Sequence, residues 1–334
     1  MLIEAEADMY DLADRAFGCL AGGVIGDAMG TPTENLEPDD IERRYGWLDD
    51  FEGDGTDDSI MKYLLADALV RTDGYANADD WAREWVRDRG EIFGTKVGRF
   101  FQSVLHTAEK LRFGYLPREA ARGNMPSSSS AMAIAPVGIV NAGNPRAAAA
   151  QAQEIASLVH IAEVAFCQDG AAAIAAATAE ACREGATVDS VVDASTRYIK
   201  PWSGGDMIKR ITGAVDLARK KNDFQSFRSE YHRQFRQSIP CDSRETIPAT
   251  VALTLLAQGD PSKAIAYGAN FGRDTDTIAS MAGAVCGALS GRRGFRDEWI
   301  AKLARNTSRD QAALAATLAA TARTKRSLEC ACWS

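Results

Sequence analysis

Glycine recurs at every fourth position from Gly18 through Gly22 and Gly26 to Gly30, and again at Gly283, Gly287 and Gly291. A glycine inside a helix is unfavourable by about 1 kcal/mol relative to alanine, so a whole stripe needs a reason. At this spacing the glycines share one helix face, and such a face lets a second backbone approach closely. In a bilayer the pattern would suggest helix dimerisation, but Arg15, Asp27 and the short apolar length argue against one. The expectation is two glycine-striped helices running through the centre of the protein and packed on each other. Elsewhere the apolar period is also helical and no segment alternates as a strand would. The fold class expected is therefore all-α, a compact single-domain helical bundle.

The spacing predicts helices over Leu12–Ala28, Ile60–Arg71, Val97–Leu111, Asp189–Tyr198, Asp206–Lys220, Phe224–Phe235 and Glu245–Leu256. Pro145 opens an alanine-rich helix and Pro261 opens one that runs to Tyr267. Asp79 is expected to cap a helix whose aromatic face, Trp81 and Trp85, belongs to the core. Ile155–Ala181 reads either as one long helix or as two broken near Asp169-Gly170, and Lys200–Gly205 reads as a turn. No composition shift marks a boundary, so residues 1–325 are taken as one domain and 326–334 as a disordered tail.

The formal net charge of -8 argues against a nucleic-acid partner. The 7 cysteines are odd in number and lie mostly in apolar runs, which fits reduced, buried thiols in a cytoplasmic protein. The start of the chain, with Glu4, Glu6 and Asp8, lacks a basic-then-apolar signal pattern. The longest apolar stretch carries His160, Glu163, Gln168 and Asp169 and is too polar to cross a membrane.

Two short acid-hydroxyl clusters precede apolar helices. One is Thr56-Asp57-Asp58-Ser59; the other is Asp274-Thr275-Asp276-Thr277, after Gly272-Arg273. Oxygen ligands without histidine or cysteine suit Mg²⁺ or Mn²⁺ rather than zinc. Thr56, Asp57, Asp58, Asp274, Asp276 and Thr277 are the candidate ligands for two such ions. The competing explanation is that each cluster caps its own helix, since Asp, Ser and Thr are favoured there. Glu34 follows the Thr31-Pro32 stop and is either a working carboxylate at the end of a buried helix or a solvated loop acid. The patch Gly123-Asn124-Met125-Pro126-Ser127-Ser128-Ser129-Ser130 runs straight into apolar residues, so its hydroxyls and N–H groups are candidates to hold phosphate oxygens.

These segments together resemble the ADP-ribosylglycohydrolase family. The resemblance rests on Gly22–Glu34, Thr56–Ser59, Ala131–Gly138, Val159-His160 and Gly272–Gly287, in the family's order and spanning most of the chain. It implies an all-α hydrolase with a binuclear Mg²⁺ or Mn²⁺ centre that cleaves a bond at the anomeric carbon of a ribose. The six acid-cluster residues become metal ligands, and Glu34 and Asp274 the catalytic carboxylates. Gly123, Asn124, Ser128, Ser129 and Ser130 would hold phosphates, and His160 would line the substrate cleft. ADP-ribosylated protein is the implied partner, with a small ribosyl compound as the alternative and a monomer as the default state. A non-catalytic ADP-ribose binder or a crystallin-like structural protein is the remaining alternative. Two positions depart from the pattern. Ala133 stands where many members carry arginine, and Arg273 stands within what is often Gly-Gly-Asp. Arg273 either supplies a cation that meets substrate or forms a salt bridge beside the acids.

Overall fold

The structure is a computed structural model that describes residues 11–331; the acidic start, Cys332 and the last residues of the expected tail lie outside them. Among the described residues every regular element is helical. Two helices form the centre, Leu12–Gly30 and Thr275–Ser290, hereafter the first and second glycine helices. They run antiparallel, because the contacts pair Gly18 with Gly287, Gly22 with Gly283, Gly26 with Ala279 and Gly30 with Asp276. A Cβ on Gly22 would fall 2.1 Å from the Gly283 carbonyl oxygen, which is the reason only glycine fits there. This register carries the C-terminal end of the first helix to the N-terminal end of the second. The loop holding Glu34 is thereby brought beside Asp274.

Alanine-rich helices pack around that pair. Pro145–Ala156 and Phe166–Ala181 bury small side chains that allow close approach, Ser243–Leu256 adds Ile247, Val251 and Leu253, and Trp81 with Trp85 lies in the same core. The two indoles are fully buried and meet edge to face at 5.1 Å between centroids. Four of the described cysteines, Cys19, Cys167, Cys182 and Cys286, are buried. Among the described residues no helix is long and apolar enough to cross a membrane.

Several boundaries differ from expectation for identifiable reasons. The break in the Ile155–Ala181 stretch lies between Ala156 and Phe166, not at Asp169-Gly170. Gly170 stays inside its helix because a Cβ there would press on Ile247 at 2.8 Å. Lys200–Gly205 is not a free turn, since the helix Pro201–Lys221 begins within it and Gly204 packs on Ile199. Asn77, rather than Asp79, caps the helix Ala78–Arg87, in a reciprocal box with Asp80. The segment Val97–Leu111 divides at Phe100-Phe101, which are extended, before the helix Gln102–Arg112. The last helix, Gln311–Ala331, takes in residues 326–331 of the tail expected to be disordered. Its Lys325 ammonium is buried and donates to Gly74 O, Asn141 Oδ1 and Gln151 Oε1, which anchors that end.

Candidate metal centre

The acid helix, Asp57–Arg71, starts at Thr56, whose side chain makes no capping bond to it. The first glycine helix caps it instead. Asp27 accepts hydrogen bonds from the Thr56 N–H at 2.9 Å and hydroxyl at 2.8 Å, and from the Ser59 N–H at 3.0 Å and hydroxyl at 2.6 Å. Asp274 likewise makes no capping bond to the second glycine helix. Capping therefore does not account for either acid cluster.

What the acids do instead is converge. Asp27, Asp58 and Asp276 can bring one carboxylate oxygen each within 4.8 Å of the others, and Glu34, Asp274 and Asp276 form a second such set. Asp276 is common to both. All of these aspartates are buried, and only Glu34 is partly open to solvent. Burial and then the Asp27 and Asp57 charges hold the Asp58 carboxyl well above the usual carboxylate range. Asp276 is raised in the same way by burial and by Asp274, Glu34, Asp58 and Asp27. Burial and the neighbouring Glu34 push Asp274 up to about 7. Acids crowded this closely need cations or protons to share the space. Asp58 Oδ1 is buried without a hydrogen-bond partner, a further sign that an electropositive ligand belongs there. An all-oxygen donor set of this kind fits Mg²⁺ or Mn²⁺.

The remaining expected ligands stand as follows. The Thr277 hydroxyl lies 3.2 Å from Asp58 Oδ2, beside the first set. The Thr56 hydroxyl proton is given to Asp27. Asp57 belongs to neither set; its Oδ2 accepts from the Phe101 N–H at 3.3 Å, and burial with the Asp27 charge pushes it up to about 8. Asp27 is the acid that sequence reasoning missed.

At the mouth, Glu34 sits 3.9 Å from the Arg99 guanidinium and accepts from Asn35 Nδ2 at 3.1 Å. Burial raises its proton affinity, Arg99 opposes that, and Asp27 adds to it. The Glu34 loop is fastened to the second acid cluster by two backbone bonds, Asn35 N–H to Arg273 O at 2.6 Å and Arg273 N–H to Leu36 O at 2.7 Å.

Three expectations about substrate contacts are corrected. Arg273 does not present its guanidinium to the acid sets; it is buried against Glu245, with Nη2 also donating to Gln237 O at 2.6 Å. His160 does not line a cleft. It is fully buried between the Ser127 hydroxyl at 3.0 Å and the Ser130 hydroxyl at 2.9 Å, and burial lowers its pKa to about 3, so the ring is neutral. The serine patch is not an open phosphate loop. Ser128, Ser129 and Ser130 are buried, and the Ser128 hydroxyl donates to Asp274 Oδ2 at 3.1 Å. The Asn124 amide is committed to Thr107 Oγ1, Val159 O and His106 Nδ1. Of that patch's candidate residues only Gly123 stands exposed, at φ +86.

Comparison with known proteins adds an independent line. The sequence profile described as ADP-ribosylglycohydrolase matches residues 8–327. The Escherichia coli K12 protein YegU, uncharacterised, is 27% identical over 312 residues, covering 83% of this chain and 88% of its own. The ADP-ribosylarginine hydrolase Tri1 of Pseudomonas putida GB-1 is 29% identical over 313 residues, covering 87% of this chain and 74% of its own. The human ADP-ribosylhydrolase ARH3 is 23% identical over 330 residues, covering 85% and 88%. A solved structure described as an ADP-ribosylglycohydrolase-related protein complex superposes with a TM-score of 0.67 at 18% identity, covering 93% of this chain and 99% of that one. At that identity the superposition speaks for the fold alone.

Proposed function

The chain belongs to the ADP-ribosylglycohydrolase family, and on that premise we propose that it hydrolyses the anomeric C–N or C–O bond of an ADP-ribosyl group, using two divalent cations. The observation that carries the metal reading is the pair of carboxylate sets sharing Asp276, with the unpaired Asp58 oxygen inside one of them. Asp27, Asp58 and Asp276 would hold one ion, with Thr277 beside them; Glu34, Asp274 and Asp276 face the other. Mg²⁺ or Mn²⁺ bound there would supply fixed positive charge that holds ribose hydroxyls and makes a coordinated water more acidic.

The chain's own residues supply the rest. Asp27 fixes the start of the acid helix, so Asp58 is aimed before substrate arrives. The Ser128 hydroxyl orients Asp274. Loss of a leaving group from ribose develops positive charge on the ring, and buried Asp274 offers negative charge against it. Glu34, partly open and with raised proton affinity, is placed to give a proton to the leaving group or take one from water. The two backbone bonds to residue 273 hold its loop at the right depth. The same reading places the protein in a reducing cytoplasm, which suits its buried thiols.

The relatives Tri1 and ARH3 carry the names of hydrolases of ADP-ribosylarginine and of ADP-ribosyl groups, which makes ADP-ribosylated protein the first substrate to test. A second reading, hydrolysis of a smaller ribosyl compound, is favoured by one observation: the hydroxyls of the serine patch are spent inside the protein rather than offered to a pyrophosphate. The experiment is turnover with Mg²⁺ or Mn²⁺, and with EDTA, on ADP-ribosyl-arginine protein, O-acetyl-ADP-ribose and plain nucleosides. Release of ADP-ribose that EDTA abolishes supports the first reading. Cleavage of nucleosides alone moves the substrate to the second. Turnover unaffected by EDTA removes the metal from the mechanism.

A further inference from the structure

Beneath the acids lies a cation of the chain's own. Lys62 is 1% exposed, and its ammonium donates to the Ser280 hydroxyl at 3.0 Å. The amine rests on Gly23, where a Cβ would fall 2.5 Å from Nζ. These three residues stand in one relation to the first carboxylate set. Gly23 precedes Asp27 by four positions on the first glycine helix. Lys62 follows Asp58 by four on the acid helix, and Ser280 follows Asp276 by four on the second glycine helix. Four positions are about one helical turn, or roughly 5.4 Å of axis. The ammonium therefore occupies the next layer beneath the layer formed by Asp27, Asp58 and Asp276.

Resting on the metal reading of that set, we infer that Lys62 is a resident counter-ion for the carboxylate cluster, which steadies the acids without metal and weakens the hold on a divalent ion in the set above it. Around Nζ, the Ser280 hydroxyl oxygen accepts a hydrogen bond and the Gly23 backbone gives room. Asp58 and Asp27 face it with opposite charge, and the Cys19 thiol is a further neighbour. Placing an ammonium in a dry interior is unfavourable unless opposite charge faces it, and here that charge belongs to the metal-binding acids. A like charge one layer from a divalent ion, in a medium of low dielectric, repels it. The affinity of the site is thus a compromise between acids that attract and a lysine that opposes.

The test uses the full chain and Mn²⁺ as probe, with four proteins: wild type, Lys62→Met, Asp58→Asn and the double variant. Mn²⁺ affinity is read by paramagnetic resonance of free ion, and the metal-free melting midpoint is read in EDTA. Lys62→Met should bind Mn²⁺ about tenfold more tightly or better, because one opposing charge is gone. It should also melt lower without metal, and that loss should shrink in the Asp58→Asn background. A merely structural lysine would lower stability and leave affinity equal or weaker, and that result overturns the inference. If Lys62→Met fails to fold, Lys62→Gln, which removes the charge but keeps hydrogen-bonding groups, is measured in its place with the same expectations. If wild type binds no Mn²⁺, the metal reading fails instead. The metal-free midpoints then judge Lys62 alone, since additive losses in the double variant would show no coupling to the acids.

Discussion

Gly30 lies directly against Asp276: a Cβ on the glycine would fall 2.3 Å from the Asp276 Cα. One of the close approaches of the two central helices is therefore also the point that fixes the acid shared by both carboxylate sets. Packing and site are here one contact. Gly30→Ala is expected to destabilise by about 1–3 kcal/mol or more, as overpacking does, and to weaken Mn²⁺ binding by displacing Asp276. Gly22→Ala, clashing with the Gly283 carbonyl two stripe positions further from the acids, should destabilise at least as much. Any variant that still folds at Gly22 should keep metal affinity closer to wild type. Denaturant melts and Mn²⁺ titrations of the two variants check the contrast.

Metal should stabilise the fold, and the two sets should lose that stabilisation unequally. At free ion near 100 times its dissociation constant, a bound ion adds about 2.7 kcal/mol. Asp276→Asn, which alters both sets, should abolish most of the rise in melting midpoint on adding Mn²⁺. Glu34→Gln alters one set at the partly exposed mouth and should leave much of the rise intact while slowing turnover. Equal loss in both variants would mean that the two sets do not hold separate ions.

The stripes were legible because a periodic glycine pattern has one economical physical cause, and the contacts of Gly18 and Gly22 with Gly287 and Gly283 follow from it. The acid clusters were legible for a similar reason, as repeated hydroxyl-carboxylate chemistry at helix starts. Asp27 was not. It is a single acid between Gly26 and Ala28 on an apolar helix, and its partners Thr56 and Ser59 are found only through the fold. Ser127–Ser130 misled because a run of hydroxyls looks solvated until a buried neutral imidazole is placed against it. Gly170 and Gly204 misled because glycine signals a turn and a tight packing contact with the same letter.

His160 should make the fold sensitive to mild acid. Burial lowers its pKa to about 3, whereas an unfolded histidine titrates near pH 6.5, roughly. The folded value is the lower, so the stability carried by the neutral ring is fully present above the unfolded value and is lost as pH falls from there toward the folded value. His160→Gln is expected to be destabilising at neutral pH through its lost bonds to Ser127 and Ser130. Below pH 6 the gap to wild type should close by about 1.4 kcal/mol per pH unit, the slope for one proton. Urea midpoints of both proteins at several pH values measure it. A gap that stays constant would mean that the ring is already charged or reaches solvent.

Arg273 and Glu245 offer a test in which backbone and charge pull apart. The pair is buried, with Arg273 Nη2 at 3.1 Å from Glu245 Oε2. Removing the arginine strands a buried carboxylate, so Arg273→Ala should cost about 3–5 kcal/mol. The residue also sits at φ +70, a region that β-carbons disfavour. Arg273→Gly strands the same carboxylate but relieves that strain. After allowance for glycine's greater freedom in the unfolded chain, it should be the milder of the two by about 0.5–1 kcal/mol. Both variants keep the backbone N–H and carbonyl that hold the Glu34 loop. Mn²⁺ affinity should therefore fall less than stability does. A large, equal loss of metal binding in both would mean that the guanidinium, not the backbone at residue 273, sets the position of Glu34 and Asp274.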